Sequence, residues 1–447
     1  MNTSKQIGNV RFAAFKVVYG VFYRSASLDA EIEKISKDFN ISGKDYSLLH
    51  KITYGTVQNC ILLDYYIKQF SNVPFNKFNK NVICILRIAF YQFIFLNKIP
   101  AFSIINEAVE TGKKLKLGKL CGFINAVLRK AFSSEINASV NFSQNVSEEL
   151  SIRYSHPLEQ VNKFIDEFGA DFTEELLKAN NDVPDLTLQI NSLLISDDEF
   201  MSLLDKAGIE YTVPDDCKHC LIFKDGMNIK SIPGYSEGYF YVQDLAAKLS
   251  SDALDNCKDV DILDTCSSPG GKTVSAYMKL NGSCRIISCD INERKIEKIN
   301  ENLKRLRIKD VQTIVCDAEK TDDSFIERFN VVIADVPCSG TGVIRKIPEI
   351  RFKTPESISE LNKIQLSIIS NVSKYVKAGG ELLYSTCSVL KEENEGIIDK
   401  FLSLNLDFIR EDFRIGGYNS ENGCFTFYPN VHGTDGFFVC KLRKKND

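Results

Sequence analysis

The stretch from Asp261 to Thr273 constrains the fold of this chain more than any other. An apolar run ends in Asp264, a tight Pro-Gly-Gly turn follows, and Lys272 begins a predicted helix. In a doubly wound α/β sheet, the first strand-to-helix turn brings backbone amides and a helix N-terminus against a nucleotide. Glycine lets the main chain approach such a ligand closely. The stretch therefore predicts a turn that binds a nucleotide or a nucleotide-like cofactor.

A phosphate-binding P-loop is the first alternative for this turn. That motif requires a glycine, four further residues and then Gly-Lys-Ser/Thr. Gly271, Lys272 and Thr273 match its end, but Cys266 stands where the first glycine is required. We therefore favour a nucleotide-like cofactor without a triphosphate.

Strands and helices are predicted to alternate from Gly238 onward, which indicates an α/β sheet with helices on both faces. The expected strands are Val260–Thr265, Arg285–Asp290, Val311–Asp317, Asn330–Ala334, Glu381–Ser385 and Gly436–Leu442. The expected helices are Lys272–Leu280, Glu293–Leu306, Pro355–Val376 and Glu392–Leu404. In such a sheet the ligand lies at the carboxyl ends of the strands.

Acidic residues end two consecutive predicted strands. Asp290 ends the second strand, where a carboxylate commonly accepts hydrogen bonds from ribose hydroxyls. Asp317 ends the third, where it could receive the amino group of adenine. Either residue alone is more often a helix N-cap or a turn residue. Together with the turn they predict an adenosine site, and S-adenosylmethionine fits better than NAD because no phosphates need to be held.

Two further strand ends carry cysteines. Cys338 follows Asp335 by three residues, and Cys387 follows the next predicted strand. Buried cysteines are usually inert core residues, but both of these are expected at the ligand edge of the sheet. Carbon 5 of a pyrimidine becomes nucleophilic when a thiolate adds to carbon 6, and a carboxyl near ring nitrogen 3 can stabilise the resulting charge. A base must then remove the carbon 5 proton. One thiolate, one carboxyl and one further thiol or water meet these needs.

The first 140 residues differ from the rest in charge. They contain 19 Lys+Arg and 9 Asp+Glu, a net charge of +10, whereas residues 141–447 contain 36 and 50, a net charge of −14. Apolar residues recur at helical spacing from Val10 to Phe22. Further helices are predicted at Asp45–Asn59, Ile61–Phe70, Lys80–Leu96, Ala101–Lys114 and Leu117–Phe132. The basic charge favours RNA or DNA as a partner of this helical module.

The densest basic cluster comprises Lys113, Lys114, Lys116 and Lys119. Considered alone, it is more simply a solvated helix face. Residues 134–150 are rich in Ser, Asn and Glu, which predicts a linker.

A small α+β domain is expected after the linker. Its predicted elements are helices at Glu159–Phe168, Asp171–Asn180 and Asp197–Ala207, and strands at Leu186–Ile190 and Leu221–Phe223. Cys217 and Cys220 could form part of a zinc site, but no second pair lies at zinc-ribbon spacing, so we expect no metal.

Cysteine usage and hydropathy indicate the compartment. The 14 cysteines are irregularly spaced, and we expect no secretory signal, so the thiols should be reduced in a cytoplasm. The most hydrophobic segment, Val82–Leu96, carries Arg87 and is too short to span a bilayer. We expect a cytoplasmic monomer with no membrane segment.

Several short motifs in this chain resemble those of a known family. They are Val242-Gln243-Asp244, Cys266–Thr273, Asp335–Gly340, Ser385–Ser388 and Asp435–Phe438, with Arg11–Ala14 and Phe123–Arg129 in the basic module. Through them the chain resembles the RsmB/NOP2/Sun family of ribosomal RNA cytosine-5 methyltransferases, and its front resembles the RNA-binding domain of the antitermination factor NusB. The resemblance implies an all-α NusB-like bundle at 1–140, a linker and small α+β domain at 141–240, and an α/β Rossmann-like class I methyltransferase domain at 241–447.

The resemblance also implies a reaction and a site. Methyl transfer would run from S-adenosylmethionine to carbon 5 of a cytosine in small-subunit (16S) ribosomal RNA, through a covalent cysteine–base intermediate. Cys387 would be the nucleophile, Cys338 would assist release of the product, and Asp335 would be the catalytic carboxyl. The cofactor would be bound or lined by Cys266, Ser267, Ser268, Pro269, Gly270, Gly271, Lys272, Asp290, Asp317 and Asp335. Chemistry alone does not rank the two cysteines.

The chain departs from the family pattern in one loop, and two alternative functions have to be weighed. Ile347 and Phe352 stand where the family pattern has His and Trp, which leaves the substrate contacts of that loop open. A DNA cytosine methyltransferase would use the cysteine after Pro337 and would normally show Gln next, where this chain has Ser339. A non-catalytic RNA-binding scaffold would tolerate a degraded site, yet both cysteines and the carboxyl are present.

Overall fold

Contacts between residues divide the chain into two compact units. The computed structural model describes residues 3–133, 145–215, 217–224, 227–255 and 258–446, with side chains from residue 10 onward. The first unit comprises Met1–Asn181 and Ile347–Phe352, and the second comprises Asp182–Lys346 and Lys353–Asp447. The domain boundaries expected near residues 140 and 240 stay predictions, because this division separates packing units only.

The first unit is helical, as the apolar spacing predicts. Its helices are α1 (Thr3–Arg24), α2 (Leu28–Asp38), α3 (Gly43–Gln58), α4 (Cys60–Phe70), α5 (Lys80–Phe95), α6 (Ala101–Lys114), α7 (Leu120–Phe132), α8 (Val146–Arg153), α9 (Leu158–Phe168) and α10 (Ala170–Ala179). Helix α5 is buried along most of its length, and Arg87 within it makes two 2.7 Å bonds to Asp64. The hydrophobic segment is therefore a core helix. Among the described helices, none is long and apolar enough to cross a membrane.

The predicted linker is wrong in its last residues. Residues 134–144 lie outside the described residues, but α8 already begins at Val146. The side chain of Asn145 accepts hydrogen bonds from the backbone amides of Ser147 and Glu148. An Asn at this position satisfies amides that a helix N-terminus leaves free. Residues 145–150 therefore belong to a helix start and not to a linker.

Ile347–Phe352 belongs to the first unit despite its distance in sequence. Arg351 is buried and donates hydrogen bonds of 2.7 Å to the carbonyl oxygens of Gln58 and Ser155. The ring of Phe352 packs 5.6 Å from that of Phe22. Burial lowers the pKa of Arg351 to about 10. In this structure Phe352, one of the two residues that depart from the family pattern, is a packing residue.

The second unit begins with a small antiparallel sheet. It contains β1 (Leu186–Ile190), β2 (Cys220–Phe223) and β3 (Phe240–Val242), in the order β2-β1-β3, with α11 (Asp197–Lys206) between the first two strands. The predicted α+β piece is confirmed. The third strand was not predicted, because three residues are too few to show an alternating pattern.

The large sheet follows. Its strands are β4 (Val260–Asp264), β5 (Cys284–Asp290), β6 (Val311–Val315), β7 (Phe329–Asp335), β8 (Val376–Thr386), β9 (Phe408–Arg410), β12 (Cys424–Phe427) and β13 (Phe437–Lys444), while β10 (Arg414–Ile415) and β11 (Tyr418–Asn419) pair separately. The helices of this part are α12 (Leu245–Ser250), α13 (Gly271–Lys279), α14 (Glu293–Arg305), α15 (Pro355–Val372), α16 (Glu395–Leu404) and α17 (Pro429–His432).

Strand order fixes where a ligand can bind. The order is β12-β13-β8-β7-β4-β5-β6, and β4 to β8 run parallel while β13 is antiparallel to β8. The chain moves outward in one direction through β5 and β6 and in the other through β7 and β8. In open α/β sheets the ligand crevice lies at this switch point, outside the carboxyl ends of the strands. The crevice is therefore expected beside the ends of β4 and β7.

Candidate active site

The turn after β4 lies at this switch point. The backbone amide and the hydroxyl of Ser267 each donate a 2.8 Å hydrogen bond to the carbonyl oxygen of Cys289. Gly270 adopts a left-handed conformation with φ of 102°, which residues with side chains rarely adopt. A β-carbon added at Gly271 would lie 3.2 Å from the side-chain nitrogen Nε2 of Gln243. The backbone conformation thus favours glycine at Gly270, whereas a side chain at Gly271 would require the end of the Gln243 side chain to shift slightly.

A pocket of about 250 Å³ opens over this turn. The predicted site residues that line it are Cys266, Ser267, Ser268, Pro269, Gly271, Lys272, Asp335 and Cys387. The lining residues that were not predicted as site residues are Val242, Gln243, Asp244, Ala247, Asp264, Val343, Asp435 and Phe437. The lining thus holds four carboxylates and one ammonium group. Asp335 pairs with Lys272, and Asp244 and Asp435 pair with Lys346, so the acidic excess of the lining is partly neutralised. The remaining charge is compatible with S-adenosylmethionine, which carries a sulfonium and an ammonium against one carboxylate.

Asp335, the last residue of β7, is held at both carboxylate oxygens. The buried ammonium of Lys272 lies 2.7 Å from Oδ2, and the hydroxyl of Ser385 donates a 2.8 Å bond to Oδ1. Lys272 also lies 4.3 Å from the ring centroid of Phe437, which is cation–π distance. These contacts fix the orientation of the carboxylate at the edge of the pocket.

Asp264, the last residue of β4, was not assigned a role from the sequence. It is completely buried, and the hydroxyl of Thr273 donates a 2.6 Å bond to its Oδ2. Burial raises the pKa of Asp264 to about 7, and the nearby Asp335 contributes to the increase. A cation in the pocket would favour the ionised form of Asp264, which again suits a positively charged ligand.

Asp290 and Asp317 lie outside the lining of this pocket. Asp290 ends β5 as predicted, and its oxygens accept bonds from the amide of Asn292 and from Lys295. The strand β6 ends at Val315, so Asp317 lies two residues beyond it and not at its end. The hydrogen bond from the Lys320 ammonium holds the pKa of Asp317 below its ordinary value. The cofactor-binding roles of Asp290, Asp317 and Gly270 stay predictions.

The two cysteines come together beyond β7 and β8. Asp335 pairs with Ser385 in the parallel register, so the segments that leave the two strands run side by side. The sulfur atoms of Cys338 and Cys387 lie 3.0 Å apart, and Cys387 lines the pocket. The hydrogen bond with Cys387, together with burial, raises the pKa of Cys338 well above its ordinary value.

Glycines allow the loop after Cys338 to reach this position. The amide of Gly342 donates a 3.0 Å bond to the carbonyl oxygen of Cys387, and its own carbonyl accepts a 2.8 Å bond from Gly436. A β-carbon at Gly342 would lie 2.0 Å from the carbonyl oxygen of Gly436. Only two glycines permit this backbone contact, which gives a packing reason for both.

A network of charged side chains was missed by the sequence analysis. Lys346 lies 2.9 Å from Asp244 and 2.6 Å from Asp435, and Arg345 lies 2.8 Å from Asp435. Although burial opposes it, the charge of Lys346 lowers the pKa of Asp244 below its ordinary value. Burial and the neighbouring Asp244 raise the pKa of Asp435 to about 6. Both carboxylates stand in motifs noted from the sequence, but only the fold brings them to one pocket.

Cys217 and Cys220 also lie close to each other, and the hydrogen bond between them lowers the pKa of Cys217. His219 contacts Asp197 at 2.8 Å. Within the described residues, no group of three or more His, Cys, Asp or Glu side chains is arranged to hold a metal ion.

Relatives of this chain cover nearly its full length. The probable ribosomal RNA small subunit methyltransferase B of Bacillus subtilis (strain 168) is 32% identical over 448 residues, covering 98% of this chain and 99% of the relative. The corresponding probable enzyme of Coxiella burnetii (strain RSA 493 / Nine Mile phase I) is 31% identical over 90% of this chain and 93% of its own length. The chain belongs to the ribosomal RNA small subunit methyltransferase B family.

Models of three domain families match successive parts of this RsmB family member. Residues 8–133 match the NusB family, residues 156–230 match the RsmF/B-like ferredoxin-like domain, and residues 252–443 match 16S rRNA methyltransferase RsmB/F. The predicted order of a NusB-like bundle, a small α+β domain and a Rossmann-like methyltransferase is therefore confirmed.

Solved structures share this fold. The crystal structure of PH0851 has a TM-score of 0.82 at 24% identity and covers 98% of this chain and 99% of its own. NSun6 from Pyrococcus horikoshii, determined with SFG, has a TM-score of 0.58 at 22% identity and covers 64% of this chain and 97% of its own.

Proposed function

We propose that this chain transfers a methyl group from S-adenosylmethionine to carbon 5 of a cytosine in 16S ribosomal RNA, through a covalent cysteine–base intermediate. The observation that carries the proposal is the pair of sulfur atoms of Cys338 and Cys387, 3.0 Å apart beside a pocket that Asp335 also lines. Membership of the RsmB family supports ribosomal RNA as the substrate. The pair and the carboxyl supply the thiolate, the acid group and the second thiol that cytosine C5 chemistry requires.

Cys387 is the proposed nucleophile. Its sulfur adds to carbon 6 of the cytosine, and the electron pair of the 5,6 double bond shifts toward carbon 5 and ring nitrogen 3. Asp335, as a protonated carboxyl, is proposed to give a proton to nitrogen 3, where negative charge develops, and to take it back when the 5,6 double bond re-forms. Lys272 and Ser385 hold its two oxygens, so the carboxyl does not need to reorient during this step.

Cys338 is the proposed proton acceptor. S-adenosylmethionine, held by the turn after β4, would supply the electrophilic methyl group to carbon 5 and would leave as S-adenosylhomocysteine. Cys338, as a thiolate, then takes the proton from carbon 5, the 5,6 double bond re-forms, and the bond between carbon 6 and Cys387 breaks. In the free enzyme, hydrogen bonding with Cys387 and burial keep the pKa of Cys338 high. Bonding of Cys387 to carbon removes the first of these causes, so Cys338 can lose its proton to solvent more readily at this stage.

The first unit is proposed to hold RNA. Residues 1–140 carry a net charge of +10, and residues 8–133 match the NusB family. Lys113, Lys114, Lys116 and Lys119 are exposed on α6 and the turn after it. Exposed lysines attract phosphate groups and release counterions when they bind them. A cytoplasmic location and a monomeric state remain proposals from the sequence.

Bisulfite mapping of ribosomal RNA tests the function. One cytosine of 16S RNA should resist conversion in cells that carry this chain and should convert in cells that lack it, with resistance restored by the wild-type gene. Purified enzyme, S-adenosylmethionine and unmodified 16S RNA should reproduce the mark. A mark on DNA only, or methylation of the RNA at a position other than carbon 5, would reject the proposal.

A further inference from the structure

A buried carboxylate connects the two segments that carry the cysteines. Glu393 is fully buried and lies two residues before the start of α16. Its Oε1 accepts a 2.7 Å hydrogen bond from the backbone amide of Ser339, and its Oε2 accepts one from the Ser339 hydroxyl. The same Oε2 accepts a 2.5 Å bond from the hydroxyl of Ser388. One side chain therefore binds the residues that directly follow Cys338 and Cys387.

The side-chain amide groups of Gln365 and Asn394 hold the residues that precede each cysteine. The amide nitrogen of Gln365 donates 3.0 Å bonds both to Glu393 and to the carbonyl oxygen of Pro337, which precedes Cys338. Asn394 accepts a 2.6 Å bond from the hydroxyl of Thr386, which precedes Cys387, and donates a 3.0 Å bond to the carbonyl oxygen of Ser388. Both cysteines are thus flanked by residues that the Glu393–Asn394 pair and Gln365 fix in place.

The chemistry of this cluster suits positioning better than simple packing. A buried carboxylate is costly unless several donors satisfy it, and Glu393 has four donor bonds, two of them from hydroxyl groups. Both oxygens of the Glu393 carboxylate have donors, and a buried carboxylate satisfied in this way rigidifies the groups that donate to it. Apolar side chains could fill the same space, but they would not fix the distance between two loops.

We propose that Glu393 is a positioning residue for product release, which holds Cys338 at the distance and angle from Cys387 that removal of the carbon 5 proton requires. The proposal rests on the proposed role of Cys338 as proton acceptor. Glu393 acts through the Ser339 and Ser388 contacts and not on the substrate itself. Loss of the carboxylate should therefore slow release of the covalent adduct and leave cofactor binding unchanged.

The test uses the full chain with 16S RNA and measures the lifetime of the protein–RNA adduct on denaturing gels. Glu393→Ala should lengthen that lifetime by about 10- to 100-fold, because a small misplacement of a reacting group has costs of this order. The affinity for S-adenosylmethionine should stay within about two-fold, since only Val343 and Cys387 of the loops after β7 and β8 line the pocket. Glu393→Gln should recover much of the rate, because its amide oxygen still accepts from the Ser339 amide and its NH₂ can donate to the hydroxyl oxygens.

Double variants separate positioning from general damage to the fold. Cys338→Ala combined with Glu393→Ala should release product no more slowly than Cys338→Ala alone, because both changes remove the same step. Glu381→Ala is the matched control, since Glu381 is a buried carboxyl residue in the middle of β8, five residues before that strand ends at Thr386. It should lower the melting temperature without lengthening the adduct lifetime. If Glu393→Ala does not fold, Ser339→Ala takes its place and should give a smaller slowing of the same step.

The possible failures differ. If Cys338→Ala accumulates adduct but Glu393→Ala releases it at the wild-type rate, the positioning role is wrong and the proposed mechanism stands. If Cys338→Ala accumulates no adduct, the assignment of Cys338 fails and the role of Glu393 fails with it. If Glu381→Ala lengthens the adduct lifetime as much as Glu393→Ala, the effect of Glu393 is structural only.

Discussion

Two cysteine pairs of the large sheet differ in their surroundings, although both are close pairs. Cys424 and Cys440 are directly opposite each other on the antiparallel strands β12 and β13. Cys440 is fully buried, and burial, with the Cys424 contact, raises its pKa well above its ordinary value. Cys338 and Cys387 instead lie beyond the carboxyl ends of two parallel strands, where one of them lines the pocket.

Both pairs bring two thiols close together, so closeness alone does not distinguish the proposed reactive pair. The antiparallel pair sits within a strand ladder, where backbone partners fix both residues, and Cys424 lines a separate pocket of about 330 Å³ away from the carboxyl ends of the parallel strands. The parallel pair lies in loops, and a carboxylate on each side, Asp335 and Glu393, contacts the segments around it. Position at the ligand edge of the sheet is therefore the property that separates the two pairs.

The largest expected effect comes from removing the proposed nucleophile. Cys387→Ala should reduce kcat for RNA methylation by roughly 10⁴-fold or more, because loss of a covalent nucleophile has costs of this order. Cys424→Ala, the matched change in the other pair, should retain nearly full activity. Methyl transfer from labelled S-adenosylmethionine measures both, and isothermal calorimetry should show that Cys387→Ala still binds the cofactor. Substantial transfer by Cys387→Ala would contradict its assignment.

The second effect concerns the partner cysteine of each pair. Cys338→Ala should form the bond to RNA and fail to release it, so a protein–RNA adduct should survive denaturing electrophoresis. Cys440→Ala should lower stability by about 1–3 kcal/mol, as loss of a buried side chain does, without any adduct.

The double variant Cys338→Ala, Cys387→Ala controls for the origin of this adduct, which should disappear. In the wild type, release should accelerate as pH rises, because only the thiolate form of Cys338 can accept a proton, and burial, which also raises its pKa, persists in the adduct. An adduct that forms without Cys387 and depends on Cys338 would reverse the two roles.

The smallest expected effect comes from variants that weaken RNA binding and leave the chemistry at the Cys338–Cys387 pair intact. Replacing Lys113, Lys114, Lys116 and Lys119 by Gln should raise KM for RNA several-fold and leave kcat nearly unchanged. The slope of log affinity against log salt should become shallower by about 0.7–0.9 for each phosphate group that the variant no longer neutralises. Filter binding at several salt concentrations measures the slope. An equal slope in the variant and the wild type would assign another role to these lysines.

Local patterns predicted most of the elements and part of the site. The helical spacing in the first unit and the alternation after Gly238 gave element bounds close to those observed, because both periods depend on neighbours along the chain. The Pro-Gly-Gly turn and Lys272 were also predicted, because their motif consists of residues that are adjacent in the chain. Asp317 was placed at a strand end but lies two residues beyond it, since β6 ends early and a turn begins.

The sequence by itself determined which residue types stand at the ends of strands, but it did not determine which strand ends meet. Cys338 and Cys387 are 49 positions apart, and only the register of Asp335 opposite Ser385 brings their sulfur atoms within 3.0 Å. Glu393 stands in a run of acidic residues typical of an exposed helix start, yet it is buried because the two loops supply its donors. Periodicity reports contacts between near neighbours, whereas strand order and loop packing bring distant residues together, so these parts of the site were decided by the tertiary structure.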